Sequence, residues 1–174
     1  MWVTQTYLGS VEEDAGVFIY YLYEDYNQPQ VAFTSAVQRA LEEMGDTYQD
    51  TVSLQMPNPR YAGKIEAEVR KNVELWGEVS GKLPGLLVAT APFTRLTWPH
   101  HDCYYVPFIG RDQRAVAEAI TSARLLTNAN LQVKSRGGEP SGFGARLKDS
   151  LELKPGIYGI HLDLKRLFAS SGKK

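Results

Sequence analysis

Apolar and polar positions along this chain keep two rhythms in turn. Residues 17–21 (VFIYY) are apolar without a break, which fits a central strand covered on both faces. Pro29 follows, and proline suits the first turn of a helix. Phe33, Val37, Leu41 and Met44 then recur at helical spacing, with Ala36 and Ala40 beside them. The spacing predicts a helix over 30–44, with Gly45 as its stop. In 51–56 (TVSLQM) the rhythm changes to two, and Val52, Leu54 and Met56 share one face of a second strand. Pro57-Asn58-Pro59 breaks it. A second helix is predicted from about Lys64, with Ile65, Val69, Val73 and Trp76 on one stripe and Gly81 at its end. Pro84-Gly85 introduces a third strand over 86–89, and a fourth covers 104–108. Asp112 is placed to cap a third helix in which Val116, Ala119, Ile120, Ala123 and Leu126 share a face and Thr127-Asn128 closes the run. Residues 1–10 hold a mixed run, WVTQTYL, suited to an edge strand. Beyond Asn130 come a short strand at 131–134, a glycine-rich loop at 136–144, a strand at 157–164 and a tail at 169–174.

The order is β-α-β-α-β-loop-β-α with a strand-rich end. Alternation of this kind predicts an α/β fold, a flavodoxin-like three-layer sandwich with a mostly parallel central sheet. One domain over 1–130 is expected, with a C-terminal extension, 131–174, packed on it. In such a fold the active residues gather at the carboxyl ends of the strands, here 21–25, 56–60, 90–98 and 108–111.

Composition narrows the function classes. The net charge of -1 across 174 residues gives no global field towards nucleic acid or anionic lipid, so neither is an expected partner. The chain shows no basic region followed by an apolar run at its start, and no apolar segment approaches the roughly 18–20 residues of a membrane span. A single cysteine excludes an internal disulfide framework and suits a reducing compartment; a cytoplasmic location is expected.

Candidate chemistry concentrates in the loop between the third and fourth strands. Trp98 offers a stacking face, Arg95 a fixed cation, Asp102 a carboxylate, and His100 and His101 two proton carriers. A carboxylate beside an aromatic plate suits stabilisation of an oxocarbenium-like centre at an anomeric carbon. A tryptophan lid on a plain surface loop is the competing reading. His100 to Cys103 are adjacent, and neighbours in extended chain point opposite ways, so no metal site is expected there. Cys103 begins an apolar strand, where burial makes a thiol inert. Arg60, in the turn after the second strand, is placed to meet an anion beside backbone N–H groups, or is ordinary strand-to-helix grammar. Glu24 and Asp25 offer a ribose contact or an acid/base pair, or else cap the next helix or face water. The loop 136–144 lacks the GxxxxGK[ST] pattern of a P-loop.

Several of these pieces resemble, in order, the Toll/interleukin-receptor (TIR) domain. That family often opens with a strand of the form VFISY and a nearby acidic pair; Val17-Phe18-Ile19-Tyr20-Tyr21 and Glu24-Asp25 look like it. Its third strand leads through a short loop to a WCxxE segment with a catalytic glutamate. Here Leu87-Val88-Ala89-Thr90 lead through Phe93 and Thr97 to Trp98-Pro99-His100-His101-Asp102, with the tryptophan-to-acid spacing kept and aspartate as the acid. Over about 16–110 the resemblance implies a TIR-like fold. It also implies NAD+ cleavage or an ADP-ribose-type signal, as in prokaryotic defence signalling, or else a non-catalytic module assembling with itself or a partner protein. Asp102 would be the catalytic carboxylate, with Trp98 and Tyr21 near the nucleotide and Arg95 or Arg60 at its phosphates. NAD+ would be the substrate and no further cofactor is required. A deoxyribosyltransferase-like enzyme acting on an N-glycosidic bond shares the same strand-end carboxylates.

Overall fold

Six consecutive buried residues, Val17–Leu22, form the strand around which the others are laid. The computed structural model describes residues 2–4, 15–22, 28–56, 62–97, 103–135, 151–152 and 161–162. In chain order the elements are β1 (Trp2–Thr4), β2 (Val17–Leu22), α1 (Gln28–Tyr48), β3 (Val52–Gln55), α2 (Ala62–Lys71), α3 (Val73–Val79), β4 (Gly85–Ala89), β5 (Cys103–Pro107), α4 (Gln113–Ser135), β6 (Leu151–Glu152) and β7 (His161–Leu162). The first five strands form one sheet in the order β1-β3-β2-β4-β5, and β6 and β7 pair separately.

Alternation along the strands sends side chains to two cores. Ile19 and Tyr21 of β2, Leu54 of β3 and Leu86 and Val88 of β4 face one way and pack with α1 and α4. Phe18, Tyr20, Leu22, Leu87 and Ala89 face the other way, against Val69 of α2 and Leu75 and Val79 of α3. An uninterrupted apolar strand is what two covered faces require.

The sheet is mixed, and only partly parallel. β3 runs parallel to β1 and to β2. β4 runs antiparallel to β2, and β5 antiparallel to β4. The described part of the β4–β5 link, residues 90–97, holds a single 3-10 turn at Phe93–Arg95 and no crossover helix. Adjacent parallel strands need a crossover; without one, the chain returns antiparallel.

Three helix boundaries differ from the sequence expectation. α1 runs through Gly45 to Tyr48, because tertiary contacts hold its last turn: the Tyr48 hydroxyl bonds to Asn128 Oδ1 at 2.8 Å and to the Arg124 carbonyl at 3.3 Å on α4. The turn out of α1 comes at Gln49, with φ +45°. The helix expected from Lys64 is two, split at Asn72. α4 continues past Thr127 through residues 131–134, where a strand was expected. No glycine or proline interrupts 113–135, and Leu126 and Asn130 repeat the buried spacing of the preceding turns. Gly81, by contrast, does end α3, with φ +73°.

Gly85 marks a close approach in the sheet. A Cβ there would overlap the ring and hydroxyl of Tyr105, which crosses from β5 to donate to the Lys82 carbonyl at 3.0 Å. Gly85→Ala therefore lowers stability by roughly 1–3 kcal/mol in denaturant unfolding, and by much less in a Tyr105→Leu background. A Gly85→Ala protein of unchanged stability would contradict this packing.

Candidate functional site

The break between α2 and α3 creates one wall of an open groove. Asn72 leaves helical geometry and its side chain accepts the Leu75 N–H at 3.1 Å, starting α3 as a separate helix. The Arg70 guanidinium lies 4.6 Å from the centre of the Trp76 ring and also pairs with Glu66. These contacts tie the last turn of α2 to α3 across the break. Glu68, Lys71, Asn72, Val73 and Glu74 then line the groove.

The opposite wall is the loop leaving β4. Pro92 enters the Phe93–Arg95 turn from extended geometry, and the turn closes with Arg95 N–H on the Pro92 carbonyl at 2.9 Å. Phe93, Thr94, Leu96 and Thr97 face the groove, whose volume is about 600 Å³. Two glutamates and one lysine set its charge, and the rings and methyls of Phe93, Leu96 and Val73 supply its apolar area. The arrangement suits a ligand with a flat or apolar part and a polar rim.

Of the residues expected to share one site, the two that are described, Arg95 and Tyr21, are separated by the sheet. Arg95 is exposed, in the turn that follows β4. Tyr21 is 2% exposed and belongs to the opposite core. Its ring stands edge-on to Phe108 at 5.9 Å and its hydroxyl bonds to Thr34 of α1. Strand direction separates them further. Tyr21 lies beside Leu86 near the start of β4, while the loop bearing Arg95 leaves the far end, where Ala89 pairs with Phe18. The expected gathering of four carboxyl strand ends is thus corrected: those of β2, β3 and β5 share an edge, and that of β4 is at the other. Trp98, Asp102 and Arg60 lie outside the described residues, as do Glu24, Asp25, His100, His101 and the glycine-rich loop 136–144. Among the described residues no three His, Cys, Asp or Glu side chains converge to hold a metal, and no helix is long and apolar enough to cross a membrane.

Lys71, Asn72 and Glu74 were not singled out from the sequence. The stripe Ile65–Val69–Val73–Trp76 reads as one helix, and only Asn72, a favoured N-cap residue, signals the break. Nothing in the sequence sets Ser53 and Gln55 apart either. They are buried on the α2 side of β3, and their side chains have no hydrogen-bond partner among the described residues. No family model, characterised protein or solved structure matches this chain.

Burial controls the tyrosines of β2. It pushes the Tyr21 phenol up from 10 to about 12, with the Thr34 hydrogen bond and the charge of Arg111 opposing, and it raises Tyr20 as well. A phenol whose folded pKa is raised contributes stability fully present below pH 10, the unfolded value, and lost as pH climbs towards 12. Stability measured against pH should therefore be level up to about pH 9 and fall above pH 10, with a shallower fall in Tyr21→Phe. An identical alkaline fall in that variant would contradict the assignment.

Proposed function

We propose that this protein binds a nucleotide in the groove between the α2–α3 junction and the loop after β4. The nucleotide is NAD+ and the reaction is cleavage of its nicotinamide–ribose bond. One observation carries the reading: Phe93, Thr94, Leu96 and Thr97 line the groove, and the chain passes directly from Thr97 to Trp98 and on to Asp102. The described part of the loop that leads to the tryptophan-to-acid segment thus borders the groove.

In this proposal Trp98 and Phe93 offer faces for a base. Lys71, on the groove wall, and Arg95, in the turn beside it, are the cations for the pyrophosphate, and Glu68 or Glu74 accepts from a ribose hydroxyl. Asp102 stabilises the ribosyl cation as nicotinamide leaves with the electrons of the C–N bond. Water then adds at the anomeric carbon and yields a proton, giving ADP-ribose. In this reading Tyr21 has no part in binding; it packs against Phe108 and bonds to Thr34 of α1 from within the core. The resemblance to TIR domains supplies the choice of substrate. We take the sheet, with helices against both faces, as a three-layer sandwich that departs from the flavodoxin-like order by the reversal of β4. The buried, single Cys103 favours a cytoplasmic setting.

A second reading, a non-catalytic assembly module, is favoured by a separate observation. Val31, Val73 and Ile109 are 58%, 77% and 68% exposed, and exposed aliphatics suit self-association or a partner protein.

Purified protein incubated with NAD+ is expected to release nicotinamide. Asp102→Ala should lower the rate by roughly 10²–10³-fold, and Lys71→Ala should raise KM with little change in kcat. Absence of release at high protein concentration, with or without an activating partner, would refute the enzyme. Concentration-dependent light scattering, with biological activity retained in Asp102→Ala, would establish the module instead. Turnover of nucleosides in place of NAD+ would assign the deoxyribosyltransferase-like chemistry.

A further inference from the structure

Tyr20 is fully buried in the middle of the sheet, yet its hydroxyl reaches a loop. The Phe93 backbone N–H donates to Tyr20 Oη at 2.7 Å. The two rings also meet edge-to-face, with centroids 5.7 Å apart and planes at 67°. Phe93 is the first residue of the 3-10 turn, and its N–H points out of that turn and towards the sheet. The first donors of a helical turn have no partner within it and need one from outside. Tyr20 supplies that partner, and Phe93 and the following residues form the groove wall.

We infer that Tyr20 is a positioning residue for the groove: its buried hydroxyl fixes the height and direction of the 93–97 turn, so that the wall is preformed before a ligand arrives. The inference rests on the groove being the ligand site, but the fixing of the turn can be read without any ligand. Its length argues for a dedicated contact. Phenylalanine would fill the same apolar core equally well, and Phe18, two residues earlier on the same face, does so. The hydroxyl is the one feature that distinguishes Tyr20 from such a core residue, and it is spent on the loop.

The test compares wild type, Tyr20→Phe and Phe93→Leu by amide hydrogen exchange and by NAD+ titration on the full chain. Tyr20→Phe should speed exchange at the Phe93 amide by roughly three- to tenfold, leave the amides of β2 and β4 protected as before, and weaken NAD+ binding by a similar factor. Phe93→Leu keeps the N–H and should keep exchange at residue 93 slow while losing affinity through its missing ring. Unchanged exchange at Phe93 in Tyr20→Phe would overturn the inference. So would a uniform rise across the sheet, which marks a purely structural role, or equally fast exchange in Phe93→Leu, which would credit the ring. Should Tyr20→Phe not fold, slow exchange at residue 93 in Phe93→Leu still supports the hydroxyl and fast exchange still overturns it. Absence of NAD+ binding by the wild type would refute the proposed ligand and leave the exchange result to decide the role of Tyr20.

Discussion

β4 lies between β2 and β5 and pairs antiparallel with both, and the placement of the Phe93–Arg95 turn relative to Tyr21 depends on that direction. Its five residues are all buried, with Leu86 and Val88 in one core and Leu87 and Ala89 in the other. With β4 running against β2, the loop that leaves Ala89 comes out where β2 begins and turns over the α2–α3 face, reaching Tyr20 and the helix junction. A parallel β4 would have sent the same loop to the end of β2, beside Tyr21.

The two tyrosines show what the pleat does with neighbouring residues. Tyr20 and Tyr21 are adjacent in sequence and equally buried, yet one braces the groove wall and the other packs between α1 and the end of β5. Successive side chains on a strand point to opposite faces, so only one of the pair can face any given site. The sheet is thus a partition. The groove on the α2–α3 side is lined by Lys71, Glu74 and residues of the loop after β4, and the other face is given to packing of α1 against α4.

The elements themselves were legible because their causes are local. The apolar run at 17–21, the period-two pattern of Val52 and Leu54, and the helical stripe Phe33–Val37–Leu41 each report burial on a known period, and each is buried as the pattern requires. Gly81 also acted locally, as a helix stop. What failed to be legible has distant causes. Gly45 did not end α1 because Tyr48 is held by α4. The direction of β4 is a property of strand pairing, and an apolar run such as LLVA reads the same in a parallel or an antiparallel neighbour. The candidate site was legible as a loop with unusual chemistry. Its partners were not, since Lys71 and Glu74 join it only through the fold.

The direction of β4 is measured most directly by cross-strand proton contacts. The Phe108 N–H donates to the Pro84 carbonyl at 3.0 Å, so residues 84, 86 and 88 turn their peptide groups to β5 and residues 85, 87 and 89 turn theirs to β2. Ile19 opposite Val88 and Tyr21 opposite Leu86 are then the closely spaced, non-hydrogen-bonded pairs of the β2–β4 ladder. Nuclear Overhauser spectra of the labelled protein should show strong Hα–Hα contacts for both pairs. Their absence, with the sequential amide pattern of parallel strands between β2 and β4 in their place, would contradict the account.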